Sequence, residues 1–339
     1  MDGKARILFL ADAGAKAGGG HVMRCLTLAE ALMRRGAECA FVATPAAVAV
    51  LEAFGAAGIE TIPLAGEASA AELAAAGVAV GRRDTAIVAD HYGFGPADEA
   101  ALAATGARLL IIDDLRRRHA GGIVLDPGLG RTAADYPGRE ALLGPAYALV
   151  RPAFAAARAN ALQRRAADGP AARVLVSLGL GDAGAITSRV VRALIPAVGE
   201  MTLDVAMGDG APSRGELEAL ARGDPRIVIH IDARDMAALT ATADFAVGAG
   251  GASVWERCVV GLPSLTVVLA DNQRDNAAAL ANAGATFAIA PPSGDFDRRL
   301  RRGFEALAND AAVRAAMAEA AAVLCDGLGV ERVAERLLA

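Results

Sequence analysis

Aromatic residues are scarce: 4% of 339 residues, with one tryptophan and three tyrosines. The core must therefore be built from aliphatic side chains, and a hydrophobic content of 54% supplies them. Cysteine is also sparse, and Cys25, Cys39, Cys258 and Cys325 lie apart with no CxxC pair. That spacing argues against a disulfide framework or a zinc site and fits reduced thiols in a cytoplasmic protein. No basic block exceeds Arg116-Arg117-Arg118, and the net charge is −5, which argues against a nucleic-acid partner. No apolar run approaches the ~20 residues of a spanning helix, so stable membrane insertion is not expected. Lys4 and Arg6 before Ile7-Leu8-Phe9-Leu10 have the outline of a secretion signal. The run is too short, however, and Asp12 interrupts it, so it reads as a first β-strand. There is no Walker A loop and no G-x-S-x-G, and the third glycine of G-x-G-x-x-G would fall on Met23. Asp113-Asp114 and Asp90-His91 are pairs that could bind a cation, but adjacent acids at a strand end are common without one, so neither metal nor cofactor is expected.

What is present is a regular alternation of strand and helix signals. In the first half, strands are expected at 5–11, 38–44, 59–64, 85–91, 108–114 and 123–126, with helical stretches such as 26–35 and 97–104 between them. In the second half they are expected at 173–178, 202–207, 226–231, 244–247, 264–269 and 286–289, with helices starting near 185, 214, 235, 253, 273 and 297. The strands are continuous apolar runs, which means burial on both faces and parallel sheets covered by helices. A single core stops growing at about 250–300 residues, so the length implies two domains. The expected division is 1–155 and 172–339 around a linker at about 156–171, with the last helix packing back on the N-terminal domain. The fold class is α/β, with two doubly wound, Rossmann-like domains facing a central cleft.

Two glycine-rich strand-to-helix turns carry the chemistry. Gly18-Gly19-Gly20-His21 follows the first strand, and a neutral histidine at a helix start suits a general base. An idle, solvated first-turn histidine is the plain alternative. Arg24 shares a helix face with His21 and reaches either phosphate or an acid. The second turn is Gly248-Ala249-Gly250-Gly251-Ala252-Ser253, with Glu256 in the first helical turn. Its N–H groups and the Ser253 hydroxyl suit a phosphate or diphosphate. Glu256 either stabilises the helix start or accepts from a ribose diol. Asn272 and Gln273 open another helix, as a cap or as ligand contacts. Tyr92 ends a strand, facing a sugar or simply solvent, and alternation points its neighbour His91 away from it. His119 and His230 read as surface or loop residues.

Gly18-x-Gly20-His21-x-x-Arg24-x-Leu26-x-Leu28-Ala29 resembles the N-terminal signature of the PseG-type UDP-sugar hydrolases of pseudaminic acid biosynthesis. The resemblance extends through Asp90-His91-Tyr92, Ile112-Asp113-Asp114-Leu115, the Leu143–Phe154 run, Trp255-Glu256-Arg257-Cys258, Gly261-Leu262-Pro263 and Asn272-Gln273. The second half also resembles the MurG-type glycosyltransferases. The resemblance implies a GT-B fold and a UDP-2,4-diacetamido-2,4,6-trideoxy-β-L-altropyranose substrate, or a close relative, for flagellin or surface glycosylation. It implies metal-independent, inverting attack by water at the anomeric carbon. Separately, a monomer is expected. His21 matches the catalytic histidine. Asp12, Gly20, Arg24, Tyr92, Gly251, Ser253, Glu256, Asn272 and Gln273 are the matching candidates for substrate binding. Of the family's Arg-x-Asp-x-Ser only Asp12 is kept, and a Gly-Gly reads Gly179-Leu180. The alternatives are a MurG-like transferase using the same UDP-sugar, and a non-catalytic nucleotide-sugar-binding accessory protein.

Overall fold

Ile7, Leu8, Phe9 and Leu10 are all buried, and they divide between two cores by simple alternation. Ile7 and Phe9 join one cluster, and Leu8 and Leu10 join another on the opposite face of the same sheet. A strand with no wet face has to lie in a sheet covered on both sides. The computed structural model describes residues 5–14, 19–55, 58–167 and 169–339. Gly18 of the first glycine turn lies outside the described residues.

The chain forms two compact units. Unit 1 comprises residues 1–150 and 328–339. It begins with β1 (Arg6–Ala11), α1 (Gly20–Arg34), β2 (Glu38–Ala43), α2 (Pro45–Ala53), β3 (Glu60–Pro63), α3 (Ala70–Val80) and β4 (Thr85–Asp90). It continues with α4 (Pro96–Ala104), β5 (Arg108–Ile112), β6 (Ile123–Asp126) and β7 (Glu140–Leu143). The sheet order is β3-β2-β1-β4-β5-β6-β7, parallel throughout. The order reverses direction between β1 and β4, and this is where doubly wound sheets open a crevice. β7, which the sequence reading did not include, is one of the two edge strands.

Unit 2 covers residues 151–327. It holds α5 (Pro152–Ala166), β8 (Arg173–Ser177), α6 (Ile186–Leu194), β9 (Thr202–Met207), α7 (Arg214–Gly223), β10 (Ile227–Ile231) and α8 (Met236–Thr242). After these come β11 (Phe245–Ala249), α9 (Ser253–Val259), β12 (Ser264–Val267), α10 (Arg274–Asn282), β13 (Phe287–Ile289), α11 (Phe296–Asn309) and α12 (Ala311–Ala322). Its parallel order is β10-β9-β8-β11-β12-β13, with the reversal between β8 and β11.

One segment departs from the expected division. Most of the stretch read as linker is helix: residues 156–166 lie in α5, inside unit 2. Its arginines close the carbonyl ends of neighbouring helices, which otherwise lack donors. Arg158 donates to Ala322 O at 2.7 Å and Cys325 O at 3.1 Å, and Arg165 donates to Thr240 O at 2.8 Å. The last helix, α13 (Gly329–Leu338), returns to unit 1, where Val330, Val333, Ala334 and Leu337 join the core under α1. Gly329 sits so close to the Ala148 backbone that a Cβ would overlap it.

Candidate active site

In unit 1 the side chains converge at the β1/β4 reversal. α1 begins at Gly20 with Gly19 as N-cap, so His21 falls in the first turn. His21 is 5% exposed, and its Nδ1 lies 2.7 Å from Asp90 Oδ1 at the end of β4. Arg24, one turn along, donates through Nε and Nη2 to the two oxygens of Asp90, each at 2.5 Å. Its Nη1 donates to Asp114 Oδ2 at 3.3 Å, and that oxygen also accepts from Tyr92 OH at 2.9 Å. The Tyr92 and His21 rings meet edge to face, with centroids 4.6 Å apart.

Burial opposes charge on Asp90, yet Arg24 and then His21 outweigh it and hold the carboxyl well below the usual range. Asp90 is therefore an acceptor only, and the proton between it and His21 belongs to Nδ1. The 3.1 Å approach of Arg24 Nη2 to the same nitrogen follows from both donors sharing Oδ1. In the neutral imidazole this leaves the lone pair on Nε2. Burial, and then the Asp114 carboxylate, push the Tyr92 phenol up. Asp114 Oδ1 is buried with no hydrogen-bond partner.

The loop carrying Tyr92 is clamped from behind. Arg117 is held by Asp113 Oδ1 at 2.9 Å and donates to the carbonyls of Tyr92 and Phe94 at 3.1 Å each. His91 Nδ1 accepts from Gly93 N at 2.9 Å, and its Nε2 lies 3.6 Å from Asp12 Oδ1. Asp12 thus sits at the end of β1, facing His91. The two histidines read as surface or loop residues both have acidic partners. His119 is buried between Glu99 Oε1 at 2.8 Å and Asp113 Oδ2 at 3.2 Å, and His230 Nε2 is 2.8 Å from Asp204 Oδ1.

In unit 2 the glycine turn follows β11, at the β8/β11 reversal. Gly250 and Gly251 lie against Gln273, and a Cβ on Gly250 would meet its Cβ at 3.0 Å and Oε1 at 3.1 Å. Gln273 Oε1 accepts from Leu269 N at 2.9 Å, which ties the loop after β12 to the glycine turn. Asn272 is half-buried in the short turn before α10. Glu256 Oε1 accepts from Arg151 Nε at 3.2 Å and Nη2 at 2.9 Å.

α9 has only seven residues, so its C-terminal end lies about 10 Å from its start and cancels much of the expected dipole. Another charge lies here, in the last turn of that helix. Arg257 is 5% exposed and donates to Ala249 O at 3.0 Å, Thr266 Oγ1 at 3.2 Å and Ser253 Oγ at 3.3 Å. Burial pushes its guanidinium down to about 10.

The reading of the sequence did not single out Asp90 as the partner of His21, nor Asp114, Arg151 or Arg257. One signal was available: His21 and Arg24 put two donors on one buried helix face, which calls for a carboxylate. Among the described residues no helix is long and apolar enough to cross a membrane.

Residues 202–336 match the glycosyltransferase family 28 C-terminal domain. The chain is 33% identical over 276 residues to a Xanthomonas campestris UDP-N-acetylglucosamine--N-acetylmuramyl-(pentapeptide) pyrophosphoryl-undecaprenol N-acetylglucosamine transferase, covering 78% of this chain and 63% of that protein. It is 26% identical over 192 residues to the spore coat polysaccharide biosynthesis protein SpsG of Bacillus subtilis, covering 56% of each. The chain thus spans less than two thirds of the length of these curated relatives. The crystal structure of Acinetobacter baumannii MurG superposes with a TM-score of 0.67 at 20% identity, covering 99% of both chains. The fold is GT-B, with two Rossmann-like units.

Proposed function

We propose that the chain cleaves the anomeric bond of a UDP-sugar, with unit 2 holding the UDP and unit 1 supplying the base. The observation that carries this is the 2.7 Å bond between His21 Nδ1 and Asp90. With Nδ1 protonated, Nε2 takes the proton of an incoming hydroxyl as its oxygen bonds to the anomeric carbon. The carbon–oxygen bond to the β-phosphate breaks, and its electron pair leaves with UDP. Asp90 stabilises the imidazolium that forms, and Arg24 keeps Asp90 ionised and aligned. The Gly248-to-Gly251 loop and the Ser253 hydroxyl receive the diphosphate. Glu256, held by Arg151, accepts from the ribose. Tyr92, Asp12, Asn272 and Gln273 contact the sugar or the phosphates. The unmatched Asp114 Oδ1 suits a sugar N–H or O–H.

The incoming hydroxyl is first read as that of a sugar acceptor. The family 28 match and the transferase relatives support transfer. Hydrolysis, with water in the acceptor's place, is the second reading, and the surface favours it. The Xanthomonas relatives are named for an undecaprenol-linked acceptor. Among the described residues of unit 1, the exposed large hydrophobics are Val78, Leu115 and Leu328, on separate segments, which is a poor platform for a lipid. The resemblance of Asp90-His91-Tyr92 and Trp255-Glu256 to UDP-sugar hydrolases points the same way, toward the diacetamido-trideoxy sugar as substrate.

The test incubates the protein with UDP-N-acetylglucosamine and with the UDP-diacetamido-trideoxy sugar, with and without sugar acceptors, and follows UDP release. Release that requires an acceptor establishes transfer, and release without one establishes hydrolysis. Equal turnover by His21→Ala would remove the base from the reading. Binding of UDP without turnover in either arm would leave a nucleotide-sugar-binding accessory protein.

A further inference from the structure

Arg257 is a buried cation with no carboxylate in ion-pair contact among the described residues. Its Nε is buried with no hydrogen-bond partner among them. The half-buried arginines of unit 2 that cap helices differ in their settings. Arg158 and Arg165 cap the carbonyl ends of helices, where the local charge is already negative. Arg257 has a single carbonyl, Ala249 O, and two hydroxyls.

The hydroxyls form a relay with one direction. An arginine only donates, so Thr266 Oγ1 accepts from Arg257 and passes its own hydrogen to Thr286 Oγ1, 2.7 Å away. Thr286 in turn donates to Ser264 O at 2.7 Å. These dipoles solvate the charge without neutralising it. The chain also gives up a side chain to seat the guanidinium, because a Cβ at Gly248 would collide with Arg257 Nη1. The arginine reaches back along α9 to Ser253, four residues earlier on the same helix face. The lone pair of Ser253 that receives this bond is occupied, so its hydrogen is directed elsewhere.

We infer that Arg257 is a positioning residue that supplies the fixed positive charge beneath the glycine turn and polarises the Ser253 hydroxyl toward a bound diphosphate. This rests on the reading that unit 2 holds UDP at residues 248–253. It assigns to a side chain the charge that a seven-residue helix supplies poorly. An uncompensated buried cation is costly, and such a cost is retained where a ligand removes it.

The test compares wild type with Arg257→Gln, Arg257→Met and Arg257→Lys, using UDP and uridine as calorimetric probes. Loss of a charge-assisted contact should weaken UDP binding by about 30-fold in the Gln and Met variants and uridine binding by less than about 3-fold. Arg257→Lys should recover at least about a third of the wild-type UDP affinity, because it restores charge without the fork. The unliganded Met variant should melt no lower than wild type, since it removes a buried cation. Trp255, the single tryptophan and two residues before Arg257, reports on local folding by fluorescence. Arg257→Gln retains donor groups, so it decides the matter if Arg257→Met does not fold.

UDP binding by Arg257→Gln equal to wild type would overturn the inference. Equal losses for UDP and uridine together with a lower melting temperature would also overturn it, leaving Arg257 as a strut of the loop. A wild type that binds neither probe would instead overturn the nucleotide reading, and this inference with it.

Discussion

Asp90→Asn separates what the buried carboxylate contributes to stability from what it contributes to chemistry. Asp90 is fully buried, and it accepts at 2.7 Å from His21 and twice at 2.5 Å from Arg24. Asparagine keeps the volume and one acceptor oxygen but loses the charge. Arg24, 9% exposed, would be left with Asp114 at 3.3 Å. Breaking a buried pair costs about 3–5 kcal/mol, and the surviving contact to Asp114 puts the expected loss near 3 kcal/mol. The chemical effect is separate. An amide N–H turned toward His21 Nδ1 makes that nitrogen an acceptor and moves the imidazole proton to Nε2, which abolishes the base. The matching substitution in a serine-protease triad lowers kcat by about 10⁴, so a fall in UDP release on the order of 10³ or more is expected here.

Adding Arg24→Met to Asp90→Asn removes the stranded cation. The double variant should regain about 2 kcal/mol while staying inactive. Urea unfolding followed by circular dichroism gives the first quantity, and a coupled UDP-release assay at neutral pH gives the second. Turnover by Asp90→Asn above about a tenth of wild type would refute the assigned tautomer. An unchanged unfolding midpoint would refute the buried ion pair.

Three further outcomes follow from other parts of the molecule. Burial disfavours a charged His119, but the carboxylates of Asp113 and Glu99 prevail and raise it to about 9. The unfolded imidazole titrates near 6.5, so up to about 3 kcal/mol of stability is complete below that pH and lost as pH rises through about 9. Urea unfolding across that range should show the slope in wild type, and an equal slope in His119→Gln would exclude this histidine as its source. Arg151→Met should weaken UDP binding by about 3- to 10-fold with little change in melting, because the Arg151–Glu256 bonds are partly exposed. A preference for UDP over 2′-deoxy-UDP that survives in Glu256→Gln would count against the ribose contact. Gly329→Ala should destabilise unit 1 by about 2 kcal/mol, since the new methyl overlaps the Ala148 backbone. Thermal melting checks this, and an unchanged melting temperature would show that α13 shifts freely.

Local pattern carried much of the architecture. Continuous apolar runs ending in polar or glycine residues marked all but one of the strands, and the burial of Ile7 to Leu10 on both faces is what such runs mean. β7 escaped because Glu140-Ala141-Leu142-Leu143 is a short edge strand with one clearly apolar pair. The stretch at 156–166 looked like a linker because alanine and arginine carry no apolar stripe. Its helix is held by guanidinium bonds to distant carbonyls, which composition does not reveal.

The sequence by itself determined the two parallel sheets, the two glycine turns and the placement of His21 and Arg24 on one helix face, because these depend on neighbours a few residues apart. Only the tertiary structure decided which nitrogen of His21 carries its proton. That rests on Asp90, which is 69 residues away and brought into reach by β4 pairing beside β1. It alone also decided that Arg257 is buried beneath the second glycine turn, because a guanidinium's charge environment is set by the strands and hydroxyls packed around it. The return of α13 to unit 1 was expected from the sequence. What seats it, the fit of Gly329 against Ala148, appears only once residues 181 positions apart are in contact.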